Sequence, residues 1–220
     1  MRVLLFEGIA FGISIAAFLY GLFRIYIPKS PFYFKMIFGA VGCYALEELW
    51  EIVNVICGIG NSIFSIRLIG IFGCFCTFLA ANSKGLNKVL DEGTQKNRPA
   101  RIIALAAPLA GLAAVGVYAF LSAGEKTVLH IAIAFIVILP AIIDSYFELK
   151  YLMLPNDEMG FIKYIRPINV LIILEYIISV SYFFVTDEKT GLITDVISAV
   201  IMAILVFASE RGAAKWKTLI

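Results

Sequence analysis

The sequence predicts an all-α integral membrane protein of seven transmembrane helices, with the N-terminus outside and the C-terminus in the cytoplasm. Three observations carry this. Apolar residues make up 61% of the 220-residue chain, charged residues only 15%, and the mean hydropathy is +0.94. A soluble domain holds about 25% charged residues. The apolar residues fall into seven runs, each near the roughly 20 residues that a helix needs to cross a hydrocarbon core of about 30 Å. Lys and Arg alternate in density from one loop to the next. Disorder, nucleic-acid binding and a disulfide-stapled secreted scaffold are excluded, since none of them accommodates so much hydrocarbon.

In chain order the runs span roughly 3–27, 32–57, 62–82, 101–123, 127–149, 165–185 and 191–209. Helix is the only state that satisfies every backbone polar group in lipid without closing a barrel. Breakers separate the runs: Pro28-Lys-Ser-Pro31, Gly58-Ile-Gly60-Asn61, Gly124, Pro155-Asn-Asp, and Thr186-Asp-Glu-Lys-Thr-Gly191. In the first helix, Gly8, Gly12 and Ala16 form a small-residue stripe of the kind that admits close helix packing. The fourth helix is similarly rich in small residues (Ala106, Ala107, Ala110, Gly111, Ala114). Pro108 and Pro140 lie inside helices four and five and are expected to kink them. No stretch is long and polar enough for a separate soluble domain, so residues 1–220 form one domain.

Orientation follows from the basic residues. Fourteen of the eighteen Lys and Arg fall in the first, third and fifth loops, in the flanking helix ends and in the C-terminal segment. Only Arg2, Arg67, Lys126 and Lys189 lie on the other side, so the positive-inside rule places that side outside. Met1-Arg2 before an apolar run resembles the start of a signal peptide. The run's extension past residue 20 and the presence of Glu7 argue against cleavage. Compactness points to a bacterial or archaeal cytoplasmic membrane.

A constant offset of 127 residues aligns Pro28 with Pro155, Phe34 with Phe161, Glu48 with Glu175, Gly85 with Gly212 and Lys88 with Lys215. The same shift lays helices one to three on helices five to seven in matching orientation. This suggests parallel repeats over 3–88 and 130–215 joined by a linker helix at 101–123. The layout is similar in outline to the three-one-three plan of SWEET-type sugar transporters. That group's Pro-Gln signature is absent, because Lys29 follows Pro28 and Asn156 follows Pro155. The chain is not assigned to that family.

Ionisable residues inside membrane helices are costly, about 2.5–3.5 kcal/mol each at the bilayer centre on insertion scales, and are functional candidates by default. Helix two carries Glu47, Glu48 and Glu51 within five positions. Glu47 and Glu51 share a face that Asn54 continues, and Glu48 sits about 100° round. Three like charges one turn apart in a low dielectric do not all ionise, so at least one is expected to hold a proton near pH 7. Counting about 1.5 Å per residue from the outer ends puts Arg67 about 7 Å deep and Glu51 about 9 Å. Glu48 and Glu175 lie level at about 13–15 Å. An Arg67–Glu51 ion pair is geometrically reasonable. The candidate cation- or solute-binding set is therefore Glu47, Glu48, Glu51, Asn54, Arg67 and Glu175.

The remaining polar positions carry weaker expectations. Glu7 and Asp195 are expected to snorkel or meet water near the outer surface, and Asp144 and Glu148 to contact cytoplasmic Lys and Arg. His130 reads as an interfacial residue. The four cysteines read as small buried hydrophobes. No metal site, catalytic residue or cofactor is expected, and no lysine falls where a retinal-like Schiff base needs one. The leading expectation is a secondary transporter or carrier for a proton, a cation or a small polar solute. The alternative is a receptor or sensor signalling to a cytoplasmic partner through the basic loop 84–98. An intramembrane enzyme has the least support.

Overall fold

The computed structural model describes residues 2–58, 66–87, 97–122, 128–154, 161–182 and 188–219. Among them there is no strand, and the chain folds as seven helices. α1 runs over Arg2–Gly21 and continues through a wide turn at Leu22–Tyr26. α2 spans Phe32–Cys57, and α3 spans Ile66–Ala80 with a second wide turn at Ala81–Leu86. α4 comprises Arg98–Ala104 and Ala106–Leu121. α5 spans Val128–Met153, α6 Ile162–Tyr182 and α7 Glu188–Leu219.

Six of these helices are long and apolar enough to cross a membrane, and the chain is accordingly a polytopic integral membrane protein. The exception is α2. At 26 residues it is about 39 Å long, but Lys35, Glu47, Glu48 and Glu51 interrupt its apolar run. It is nonetheless a core element, with Tyr33, Phe34, Ile37, Ala40, Val41 and Tyr44 all buried.

Packing arranges α1, α2, α3, α5, α6 and α7 in a ring in that order, closed by α7 against α1 and braced across the middle by α2 against α7. α4 stands outside the ring and packs on α5. Side chains fix the helix directions. Arg24 at the end of α1 pairs with Glu210 late in α7, and Tyr33 at the start of α2 donates to Asn169 in α6. Arg67 at the start of α3 meets Glu51 late in α2 and Asp195 early in α7. One end of the bundle thus carries Arg24, Lys35, Lys84, Arg166 and Arg211, and the other carries Arg67.

Two local features depart from expectation, and the helix-four proline acts as expected. The stripe of Gly8, Gly12 and Ala16 is exposed, and a Cβ added at Gly8 or Gly12 meets nothing within 4 Å. The packed face of α1 is the opposite one, through Glu7, Ala10, Ser14 and Ala17. α7 runs ten residues past its apolar stretch because Gly212 and Ala213 continue its contact with the core, Gly212 lying directly against Phe34. Pro108 has no N–H to give the Ala104 carbonyl, and α4 is interrupted beside that carbonyl, at Leu105, where an i→i+3 bond to Ile102 replaces the normal one. α5 continues unbroken through Pro140.

Candidate functional site

The first turn of α3 is an unfavourable place for a cation, because the helix dipole is positive there. Arg67 is held at that position by three carboxylates from two helices. Its Nε lies 3.2 Å from Glu47 Oε1, its Nη1 3.8 Å from Glu51 Oε1 and its Nη2 2.5 Å from Asp195 Oδ1. The four side chains are 3–13% exposed, so solvent screens them little. Gly70, one turn on, lets α3 approach α2 this closely: a Cβ there would sit 2.7 Å from Glu47 Cβ and 3.1 Å from the Cys43 carbonyl. Tyr44 donates to the Asp195 backbone carbonyl at 2.9 Å and locks α7 to α2.

Around this ion cluster lies a small hollow of about 10 Å³, lined by Tyr44, Glu47, Arg67, Ser179, Asp195 and Ser198 among others. Such a space holds about one water molecule. Ser179 and Ser198 both donate to Glu175 Oε1, at 2.9 and 3.0 Å, so Glu175 is tied to the wall of the same hollow. Glu48 is buried beside Tyr44 and within electrostatic reach of Glu7, Arg67 and Asp195. Glu7 is buried as well and completes the cluster from α1. Among the described residues, three carboxylates thus pair with the one guanidinium, and three more buried carboxyls lie in the neighbourhood.

The structure brings Glu47, Glu51 and Arg67 into direct contact, sets Glu175 at one bond's remove and places Glu48 at their edge. Asn54 is half-buried at the exit of α2, where its carbonyl accepts the N–H of Gly58, the left-handed residue (φ 62°) that ends the helix. Two residues were expected at the wet rim and are not there. Asp195 is Arg67's tightest partner and Glu7 is 5% exposed, because α1 and α7 pack against each other and bury both.

A second polar cluster sits at the opposite end of the bundle. Asp144 and Glu148, one turn apart on α5, are both fully buried. They were expected to meet Lys or Arg. Their partners are instead Asn82, whose Nδ2 donates to both Asp144 oxygens (3.0 Å each) and to Glu148 Oε1 (2.6 Å), and Tyr176, whose hydroxyl donates to Asp144 Oδ2 at 2.6 Å. The wide turn of α3 presents Asn82, and Tyr151 donates to its carbonyl at 3.0 Å. The i, i+4 spacing of the two acids was visible in the sequence. Nothing there identified Asn82 and Tyr176 as partners. Lys150 is also buried, contrary to the expectation for lysines, with Nζ on Asn87 Oδ1 (2.5 Å) and over the rings of Tyr146, Phe147 and Tyr151.

A cavity of about 390 Å³ touches neither the Arg67 cluster nor Asp144. It is an open groove between α4 and α6, floored by α5 and lined by apolar side chains with Ser145, Tyr176 and Ser181. All four cysteines are free thiols, and no group of three or more His, Cys, Asp or Glu among the described residues is arranged for a metal ion. Residues 88–96 of the basic loop, where a partner surface was expected, lie outside the described residues. No protein-family model, curated protein or solved structure matches the chain.

Proposed function

We propose that this protein is a small membrane carrier that binds a proton or a small cation at the buried cluster of Glu7, Glu47, Glu48, Glu51, Glu175 and Asp195 around Arg67. One observation carries the reading: three carboxylates pair with one guanidinium in a largely dehydrated space, and the buried carboxyls of Glu7, Glu48 and Glu175 lie close by with no ion pair of their own among the described residues. Two like charges 4 Å apart repel by about 4 kcal/mol even at an effective dielectric constant of 20. The cluster therefore takes up protons or cations to approach neutrality. A hollow with room for about one water favours these over a larger solute in this conformation.

Gaining or losing such a charge biases a two-state equilibrium only by its differential affinity for the two states. The helix order supplies a frame for two states. Shifting the ring by 127 residues maps α1–α2 onto α5–α6, α2–α3 onto α6–α7, and the α3–α5 contact onto α7–α1. The expected parallel repeats, with α4 as linker, are consistent with that ring and place Glu48 and Glu175 in equivalent positions. Parallel repeats are a recurrent transporter plan, with the binding site near the midplane where the halves meet. In this reading α2 is the seventh span, the Arg67 end faces outward and the basic end faces the cytoplasm.

The test is proton flux into liposomes holding the reconstituted protein and an internal pH-sensitive dye, under an imposed pH gradient with and without sodium or potassium. The wild-type chain is expected to dissipate the gradient, and replacing Glu48 and Glu175 together by Gln is expected to slow it at least tenfold. Equal rates in the two proteins count decisively against the carrier.

A further inference from the structure

The second cluster has an unusual composition. Two fully buried carboxyl groups lie one turn apart on α5, and among the described residues neither has Lys, Arg or His within ion-pair distance. Helices α2, α3, α5 and α6 supply the groups around them: Tyr33, Asn82, Tyr151 and Tyr176. All are neutral. Lys150, the nearest buried cation on α5, turns its ammonium to Asn87 and three rings.

Hydrogen-bond accounting locates the missing charge balance. Asp144 accepts from Asn82 on both oxygens and from Tyr176 on one, as a carboxylate does. Glu148 accepts from Asn82 on Oε1 only, and its Oε2, buried, has no donor. The two acids are within hydrogen-bonding reach of each other. A buried carboxyl oxygen that receives no donor yet sits beside a fully hydrogen-bonded carboxylate is accounted for if it carries the proton itself. Two carboxyls that close cannot both ionise in a low dielectric.

We propose that Asp144 and Glu148 share one proton, Glu148–COOH donating to Asp144–COO⁻, and form a second proton-binding station distinct from the Arg67 cluster. Asn82 clamps the pair by giving one amide to both acids. Tyr176 supplies the third donor, and its ring is fixed edge-on between Phe75 and Phe78 at 5.1 and 5.9 Å. Buried polar groups lie between the two stations. Tyr176 lies in electrostatic reach of Cys74, Cys74 of Glu175, and Glu175 binds Ser198 in the wall of the first hollow. From Arg67 to Asn82 the rise along α3 is about 22 Å, most of a bilayer core of about 30 Å.

This station rests on the hydrogen-bond pattern and its test is independent of transport. Infrared difference spectra of the protein in liposomes, recorded between neutral and alkaline pH, resolve the C=O stretch of protonated carboxylic acids. The wild type is expected to show, within its protonated-acid absorption at pH 7, one component band that Glu148→Gln removes and Glu175→Gln leaves in place. Tyr176→Phe keeps the ring packing and deletes the donor, and is expected to shift that band without removing it, which serves if Glu148→Gln does not fold. A band unchanged in both Glu148→Gln and Tyr176→Phe overturns the proposal. So does a band that sodium or potassium chloride abolishes at constant pH, since the pair then takes a metal cation. Absent proton flux in the wild type refutes the carrier while leaving this band to be decided separately.

Discussion

Removing the guanidinium from Arg67 tests whether the outer cluster is held together by charge. Arg67→Gln leaves Glu47, Glu51 and Asp195, all at most 13% exposed on their side chains, without their shared counter-ion. Breaking a buried pair on one side costs about 3–5 kcal/mol. For a chain of 150–250 residues that corresponds to a loss on the order of 10 °C in melting temperature. The assay is built into the sequence: Cys74 is 2% exposed, so a thiol-reactive fluorogenic dye reports loss of packing once the exposed Cys57 and the half-buried Cys43 and Cys76 are replaced by Ser. Arg67→Lys keeps the charge but loses the fork that reaches two helices, and is expected to fall between wild type and Gln. The double variant with Asp195→Asn is expected to lose less than the two single losses summed, because the partners act as one unit. The gap between Arg67→Gln and wild type narrows as pH falls, since acids without a counter-ion neutralise themselves by binding protons. A melting temperature within about 2 °C of wild type, below the shift that 1 kcal/mol produces, refutes the ion cluster as a structural tie.

Gly70→Ala forces α3 away from α2 at the Glu47 and Cys43 contacts and is expected to cost about 1–3 kcal/mol, read as earlier dye reaction at Cys74. Ser179→Ala combined with Ser198→Ala strips both donors from Glu175 Oε1 and is expected to destabilise by about 1–3 kcal/mol in the same assay. The double change Ser179→Ala, Ser198→Ala in a Glu175→Leu background has no further effect if that is the reason. Cys57, exposed at the end of α2, is expected to react with a membrane-impermeant maleimide added outside intact cells; labelling only after lysis reverses the proposed orientation.

The fold was legible where hydropathy decides it. Seven apolar runs became seven helices with ends within a few residues, except α7, whose C-terminal turns are held by Gly212 against Phe34, a contact with no local signal. The Gly8 and Gly12 stripe misled because small residues permit close packing without requiring it, and α1 buries its other face. Intramembrane charge singled out Glu47, Glu51 and Arg67, and these side chains meet. It missed the role of Asp195 because depth counted from a helix end says nothing about which neighbour covers that end. Asn82 and Tyr176 were invisible for a related reason: each becomes significant only once α3, α5 and α6 are brought together. An asparagine 62 residues from an aspartate carries no sign that it will clamp it.

The proposed repeat gives these two clusters a common logic. If the halves are related by 127 residues, the frame is two-fold but the chemistry is not. Glu48 and Glu175 correspond, whereas Arg67 answers to Thr194, Asp195 to Leu68, Asp144 to Ala17, Glu148 to Gly21 and Asn82 to Ser209. The carboxyl-rich cluster with its guanidinium therefore exists at one end only, and the cation-free acid pair at the other. A strictly symmetric pair of halves would present equal proton affinity at equal depths and give no preferred order of occupation. Unequal substitution on an equal frame separates the two stations by about 22 Å along α3 and gives them different charge environments. Transplanting one element tests this directly. Leu68→Asp combined with Asp195→Leu moves the arginine's anchor from α7 to α3, and is expected to keep the acid count yet abolish the α3–α7 tie. If flux and Cys74 protection both survive, the position of the carboxylate is immaterial and the cluster is only a reservoir of charge.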